Sequence, residues 1–166
     1  NPNLTARLTY AQVIKRVHLR NMVRLNDKMA AASELVPNAL YQLFVEDRRQ
    51  NGHFYQPDHW AQPHYPHGAG RKPLLGIRAK DAITFCRWLN ETEDEHWFYR
   101  LPTPNEAKAL QQNGIQSRTP DQSSGYWVAT SQTTRLLLAH DDHNHWQAET
   151  NFADLLTYDL NQLEGF

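Results

Sequence analysis

Cysteine is all but missing from this chain of 166 residues. Cys86 stands alone, so no disulfide can close within the chain, and a reducing, cytoplasmic setting is the expectation. Long apolar runs are missing too: no stretch approaches the roughly 18 consecutive apolar residues of a membrane span. No basic, apolar-cored leader opens the chain. Charge of one sign is not in excess either. Seventeen Lys and Arg stand against 18 Asp and Glu for a net charge of −1, and the isoelectric point is near 6.8. Bulk charge therefore does not point to a nucleic-acid partner. Nothing resembles a Ser-His-Asp nucleophile elbow, a Walker loop or a dinucleotide fingerprint. What remains is a polar chain, with a mean hydropathy of −0.75 and 40% apolar residues. That is enough for the core of one soluble domain over 1–166.

The most organised stretch is 72–110, KPLLGIRAKDAITFCRWLNETEDEHWFYRLPTPNEAKAL. It predicts strand, helix, strand, helix. Leu74, Leu75 and Ile77 form a short apolar run after Pro73, as a buried strand would. Asp81 is placed to favour a helix N-terminus, and Ala82, Ile83, Phe85, Cys86 and Leu89 follow at near-helical spacing. Phe98, Tyr99 and Leu101 predict a second strand. Thr103-Pro104-Asn105-Glu106 then reads as a capping box, with Thr103 at N-cap, Pro104 at the first helical position and Glu106 at the third.

The wording of this stretch goes further than its spacing. Pro73-Leu74-Leu75-Gly76-Ile77, Asp81-Ala82, Phe85-Cys86-Arg87-Trp88-Leu89, then Tyr99-Arg100-Leu101-Pro102-Thr103 with Glu106-Ala107, resembles the formylglycine-generating enzyme (sulfatase-modifying factor) family. Upstream, Glu34, Tyr41 and Phe44-Val45 look like the entry to the same pattern, so the likeness covers 28–110. The resemblance implies an α+β, C-type-lectin-like fold of the formylglycine-generating variety, two to three helices around short antiparallel strands. It does not by itself imply the enzyme's activity, since one fold hosts many functions.

Outside that core, residues 9–25 predict a basic amphipathic helix within an N-terminal addition (1–26). Val13, Ile14, Val17, Met22 and Leu25 make its stripe, and Lys15, Arg16, Arg20 and Arg24 lie around it. Such a helix can serve a membrane surface or a partner, but packing on its own domain is the expectation. Met29–Val36 predicts a strand. A helix then starts at Pro37-Asn38, holds Leu40, Leu43 and Phe44 inward, and closes at Asn51-Gly52, with Gly52 in the left-handed position. The loop HFYQPDHWAQPHYPHGAG (53–70) carries His53, His59, His64 and His67, whose spacing matches no familiar metal motif. Tyr55, Trp60 and Tyr65 are expected to pin it. Turns are expected at Asn113-Gly114, Thr119-Pro120-Asp121 and Ser123-Ser124-Gly125. The C-terminal part, 125–166, should supply strands at 126–130, 135–139 and within 146–160, with Phe152, Leu155, Leu156 and Leu160 in the core.

The resemblance implies copper held by a pair of cysteines and oxidation of a substrate cysteine by oxygen, and thiolates do suit Cu(I). A chain with one cysteine lacks that pair, and the family's Gly-Gly-Ser-Trp signature is absent. The expectation is a domain with no catalytic residues, no metal and no cofactor. A second branch with the same fold, the non-haem iron sulfoxide synthases, has a helical His-x-x-x-His-x-Glu motif that this chain also lacks. The alternative enzymatic reading rests on His143 and His145, which on a strand would share a face and could grip one metal.

The run His140-Asp141-Asp142-His143-Asn144-His145 is the least explicable by structure alone. Every position is His, Asp or Asn. With Tyr, these types share codons one first-base change from asparagine, and together they supply 38 of the 166 residues. The run is similar to the diversified C-terminal positions of diversity-generating retroelement variable proteins, which have this variant of the C-type lectin fold. The expected ligand contacts are Tyr126, Trp127, His140, Asp141, Asp142, His143, Asn144, His145, Trp146 and Asn151, with a core-anchor role the open alternative for Trp127 and Trp146. They would serve a macromolecular ligand, a protein, with neither nucleic acid nor membrane as partner. A third reading makes the chain a sensor module of a larger signalling protein.

Overall fold

In the computed structural model the described residues are 2–93, 97–112, 125–129, 134–138, 146–148 and 163–164. They form four helices and six short strands, an α+β arrangement. The chain divides into two compact units, Asn1–Leu74 and Leu75–Phe166.

In the first unit the helix α1 (Pro2–Arg20) packs on α2 (Asn38–Gln50). Ala11 and Ile14 are buried, but Val13 and Val17 face outward. The helix also stops before Met22, which opens β1 (Met22–Arg24), so neither Met22 nor Leu25 continues the expected stripe. β1 pairs antiparallel with β2 (Ala30–Ala32). Asn26 turns the chain between them, its Oδ1 accepting from the backbone N–H groups of Lys28 and Met29, an Asx turn that competes with helix continuation. The strand expected over 29–36 shortens to those three residues of β2.

α2 is buried on every side from Asn38 to Glu46. Its N-cap is Pro37, which offers no side-chain acceptor. The orphan N–H groups go instead to backbone: Asn38 N donates to Lys72 O (2.9 Å) and Ala39 N to Gly70 O (2.8 Å). Glycine at 70 also leaves room for two rings, since a Cβ there would lie 2.9 Å from Tyr10 Cε1 and 3.2 Å from the Tyr65 ring. At the far end Gly52 (φ 80°) donates to Arg49 O and His53 to Arg48 O, the paired bonds of a Schellman motif. The expected left-handed closure is present.

Leu74 is fully buried and its N–H donates to Val36 O (2.8 Å), but 74–77 is not a strand. Isolated bridges mark Pro73, opposite Pro37, and Leu75, and Gly76 at φ 68° turns the backbone out of the extended region.

In the second unit α3 (Ala79–Thr92) has Asp81 in its first turn and buries Ala82, Phe85, Cys86, Trp88 and Leu89. Phe85 and Trp88 stack with ring centroids 5.8 Å apart. Residues 97–103 are not a strand either. Tyr99 N donates to Asn90 Oδ1 (2.6 Å), and Asn90 Nδ2 donates to Tyr99 O (2.9 Å). A side-chain amide thus takes the place of a neighbouring strand. Leu101 is buried, whereas Phe98 is exposed. α4 (Pro104–Gln112) follows and lies against β3 (Gly125–Ala129), where Ala107 meets Val128. With β4 (Thr134–Leu138), β5 (Trp146–Ala148) and β6 (Leu163–Glu164), β3 forms a four-stranded sheet in the order β5-β4-β3-β6.

Candidate ligand-binding site

The sheet fixes the register of the expected contact residues. Tyr126 pairs with Leu137 and Leu137 with Trp146, while Tyr126 is also opposite Glu164 on β6. These four positions form one row across all four strands, so cross-strand pairing brings Tyr126 and Trp146 to the same face. Strand alternation puts Trp127 on the other face. There it is fully buried, and its Nε1–H donates to Ile77 O at 3.0 Å. Trp127 is therefore a core anchor and not a displayed contact, because a buried indole N–H needs a partner and finds one inside. The backbone of β3 is tied down as well, with Ala129 N donating to Pro102 O.

The run His140–His145 and Asn151 lie outside the described residues, as do the turns expected over 113–124 and the core candidates Phe152, Leu155, Leu156 and Leu160. The flanking strands are described: β4 and β5 run antiparallel, and Leu137 opposite Trp146 is the last pair before the segment that joins them.

The histidine-bearing loop is held as expected, by a device the sequence reading missed. Trp60 and Tyr65 are buried and meet edge to face. Trp60 also meets Tyr41, and Tyr55 packs on Phe44. Beneath them a polar stripe runs along α2 at every fourth residue. Asn38 Nδ2 donates to Ala69 O, and Gln42 Nε2 to Pro63 O. Gln42 Oε1 accepts from Tyr65 N, and Tyr41 Oη donates to Tyr55 O. The four-residue spacing of Asn38 and Gln42 carried that signal. Among the loop histidines His53, His59 and His67 are exposed and His64 is half-buried. Partial desolvation of the His59 ring lowers its pKa, against a smaller opposing pull from Asp58. Among the described residues no three His, Cys, Asp or Glu side chains come together to hold a metal.

Thr103, Arg100 and Glu106 form the capping box and more. Glu106 N donates to Thr103 Oγ1 (3.3 Å), and the Arg100 guanidinium grips both Glu106 oxygens, at 3.1 and 2.9 Å. Burial opposes the charge on Glu106, but the bonds from Arg100 and Thr103 outweigh it and hold the carboxyl below its usual range. Cys86 is buried in α3, and burial pushes its thiol up to about 12.

The family model described as Sulfatase-modifying factor enzyme 1-like domain matches residues 18–161. The chain belongs to that family. No curated protein and no solved structure matches it. The sulfatase-modifying factor enzyme 1-like match is wider than the resemblance over 28–110. It begins inside α1 and runs through β5, so it takes in Tyr126, the 140–145 run, Trp146 and Asn151. The family wording Tyr-Arg-Leu-Pro-Thr at 99–103 acquires a physical reason at each position. Tyr99 pairs with Asn90, Arg100 with Glu106, Leu101 fills core, Pro102 O accepts from β3, and Thr103 caps α4.

Proposed function

We propose that this sulfatase-modifying factor enzyme 1-like domain is a non-catalytic binding module. Its ligand is a macromolecule, a protein, held on the C-terminal surface around β4 and β5. The observation that carries this reading is the state of Cys86. Copper-dependent thiol oxidation of the kind the resemblance implies needs two thiolates. This chain has one cysteine, buried and with its thiol pushed up to about 12, so it stays protonated at neutral pH and acts as a small core hydrophobe. Support for the location comes from the row that aligns Tyr126 with Trp146, and from the His, Asp and Asn run between β4 and β5. A C-type-lectin-like scaffold that presents variable side chains from a fixed sheet fits a diversity-generating retroelement variable protein, the finer form of the proposal. Without an internal disulfide, the domain suits a reducing cytoplasm.

The test is oxygen consumption with Cu(I) and a cysteine-bearing peptide. No copper-dependent uptake is expected from the protein or from Cys86→Ala. Uptake abolished by Cys86→Ala would restore the oxidase. Metal analysis guards the alternative enzyme: one equivalent of iron or zinc, lost on His143→Ala, would displace the binding reading. For the finer form, the DNA beside the coding region should hold a reverse transcriptase. It should also hold a near-copy of the C-terminal codons that differs at adenines.

A further inference from the structure

α1 carries two apolar faces, and the fold uses one. Ala11 and Ile14 are buried against α2. On the other side Ala6, Tyr10, Val13 and Val17 follow at intervals of four, three and four residues, and all are exposed, Val13 at 52% and Val17 at 45%. A shallow groove lined by Thr5, Ala6, Thr9, Tyr10 and Val13 runs along this face. A single narrow stripe at that spacing is the seam that one helix offers to another. The charge that the N-terminal segment itself carries is of one sign. Residues 1–26 hold Arg7, Lys15, Arg16, Arg20 and Arg24 and no acidic residue, in a chain whose net charge is only −1. Arg7 is engaged, its Nη1 donating to Tyr65 O with the guanidinium over the Tyr65 ring. Arg16 and Arg20 are exposed beside the C-terminal half of the stripe.

We infer that the outer face of α1 is a docking seam for an acidic amphipathic helix of a partner protein, additional to the C-terminal site proposed above. The partner presents apolar residues at alternating three- and four-residue spacing, flanked by Glu or Asp that face Arg16 and Arg20. Charge complementarity decides among occupants. A second copy of α1 brings no carboxylate to answer these cations, so self-pairing through the seam meets like charge. An anionic membrane would match the charge, but helices that lie in membrane interfaces bring Trp, Phe or Leu on a broad face. This stripe is narrow, with Val, Ala and a single Tyr, and Thr5 and Thr9 line its groove. Small and β-branched side chains suit close approach of a second helix.

The experiment uses the full chain and two designed three-heptad peptides with the same Leu and Ile seam, one flanked by Glu and one by Lys. Binding is read by fluorescence anisotropy. The Glu-flanked peptide is expected to bind saturably, at least about tenfold tighter than the Lys-flanked one, and to weaken as salt is raised. Val13→Asp should lose binding by about tenfold or more without a change in melting temperature, since Val13 is not in the core. Arg16→Glu with Arg20→Glu should reverse the preference between the peptides, which a merely sticky surface would not do. Absence of saturable binding, or equal affinity for both peptides, overturns the inference. So does retention of binding by Val13→Asp. Stronger binding to phosphatidylserine vesicles than to the Glu-flanked peptide assigns the face to a membrane. Dimers in sedimentation that Val13→Asp dissociates assign it to a second copy. Either result also rejects the partner helix.

Discussion

His18 shows what a single buried ring does to the pH response. It lies in the last turn of α1, and burial lowers its pKa to about 4 against a smaller opposing pull from Glu34. The native state thus holds the ring neutral while the unfolded chain protonates it near 6.5. Between those values the unfolded state binds the extra proton, so stability is lost as pH falls through the window. Full titration corresponds to about 3 kcal/mol at most. Glu46, bonded by Arg49, and Glu106, bonded by Arg100 and Thr103, both have lowered pKa values, and each adds its own loss lower on the acid side. Urea unfolding at pH 7 and pH 4.5 is expected to show a steep fall for the native sequence and a shallower one for His18→Gln. Equal falls would mean that His18 is not held neutral by burial.

At the scale of elements, the most instructive is the extended segment 97–103 that fails to be a strand. Around Tyr99 a side chain does the work of a strand: Asn90 both accepts from and donates to the Tyr99 backbone. Asn90→Ala should cost about 1–3 kcal/mol, and Asn90→Asp, which keeps the acceptor and loses the donor, should fall between. Denaturant melts of the two variants check this; no loss in Asn90→Ala would make the amide incidental. The same segment explains what could be read from the letters. α2, α3 and α4 were legible because apolar spacing, Asp81 in a first turn, Gly52 past a last turn and Thr103 with Glu106 are local signals, each complete within a few residues. Leu74-Leu75-Gly76-Ile77 and Phe98-Tyr99 show apolar runs that say strand, but a strand is made by its neighbour. In one run Gly76 turns the chain, and in the other Asn90 stands in for that neighbour. α1 misled in a different way: its outward Val13 and Val17 imitated a core stripe, while Ala11 did the packing. At the candidate site, neither the register that puts Tyr126 and Trp146 on one row nor which face of β3 is core was legible. Of the two readings open for Trp127, burial selects the core anchor.

For the molecule as a whole, the binding proposal divides stability from recognition. Phe85 is fully buried and stacked on Trp88, and Phe85→Ala should cost about 3–5 kcal/mol through lost burial and a cavity. Replacing Asp141, Asp142, His143 and Asn144 together with Ser should shift stability by no more than about 0.5 kcal/mol per site. Side-by-side thermal melts read the contrast. A collapse in the fourfold variant would mean that the run knits the fold together, through a metal or a buried polar cluster, and does not serve as a displayed surface.

The polar stripe of α2 has a consequence for how the first unit breathes. Residues 53–70 have no helix or strand, and a protease or a deuteron would be expected to reach such a loop freely. Yet the Tyr65 amide is spent on Gln42 Oε1 at 3.0 Å, beneath a buried ring, and Gln42 itself has no exposed surface. That amide can exchange only when the loop lifts from α2, so in deuterium exchange it should report the same opening as the α2 amides around Gln42 and Phe44. Gln42→Leu, which fills the space but offers no acceptor, should let Tyr65 exchange early while α2 stays protected. In the native protein the loop is, in kinetic terms, part of the helix.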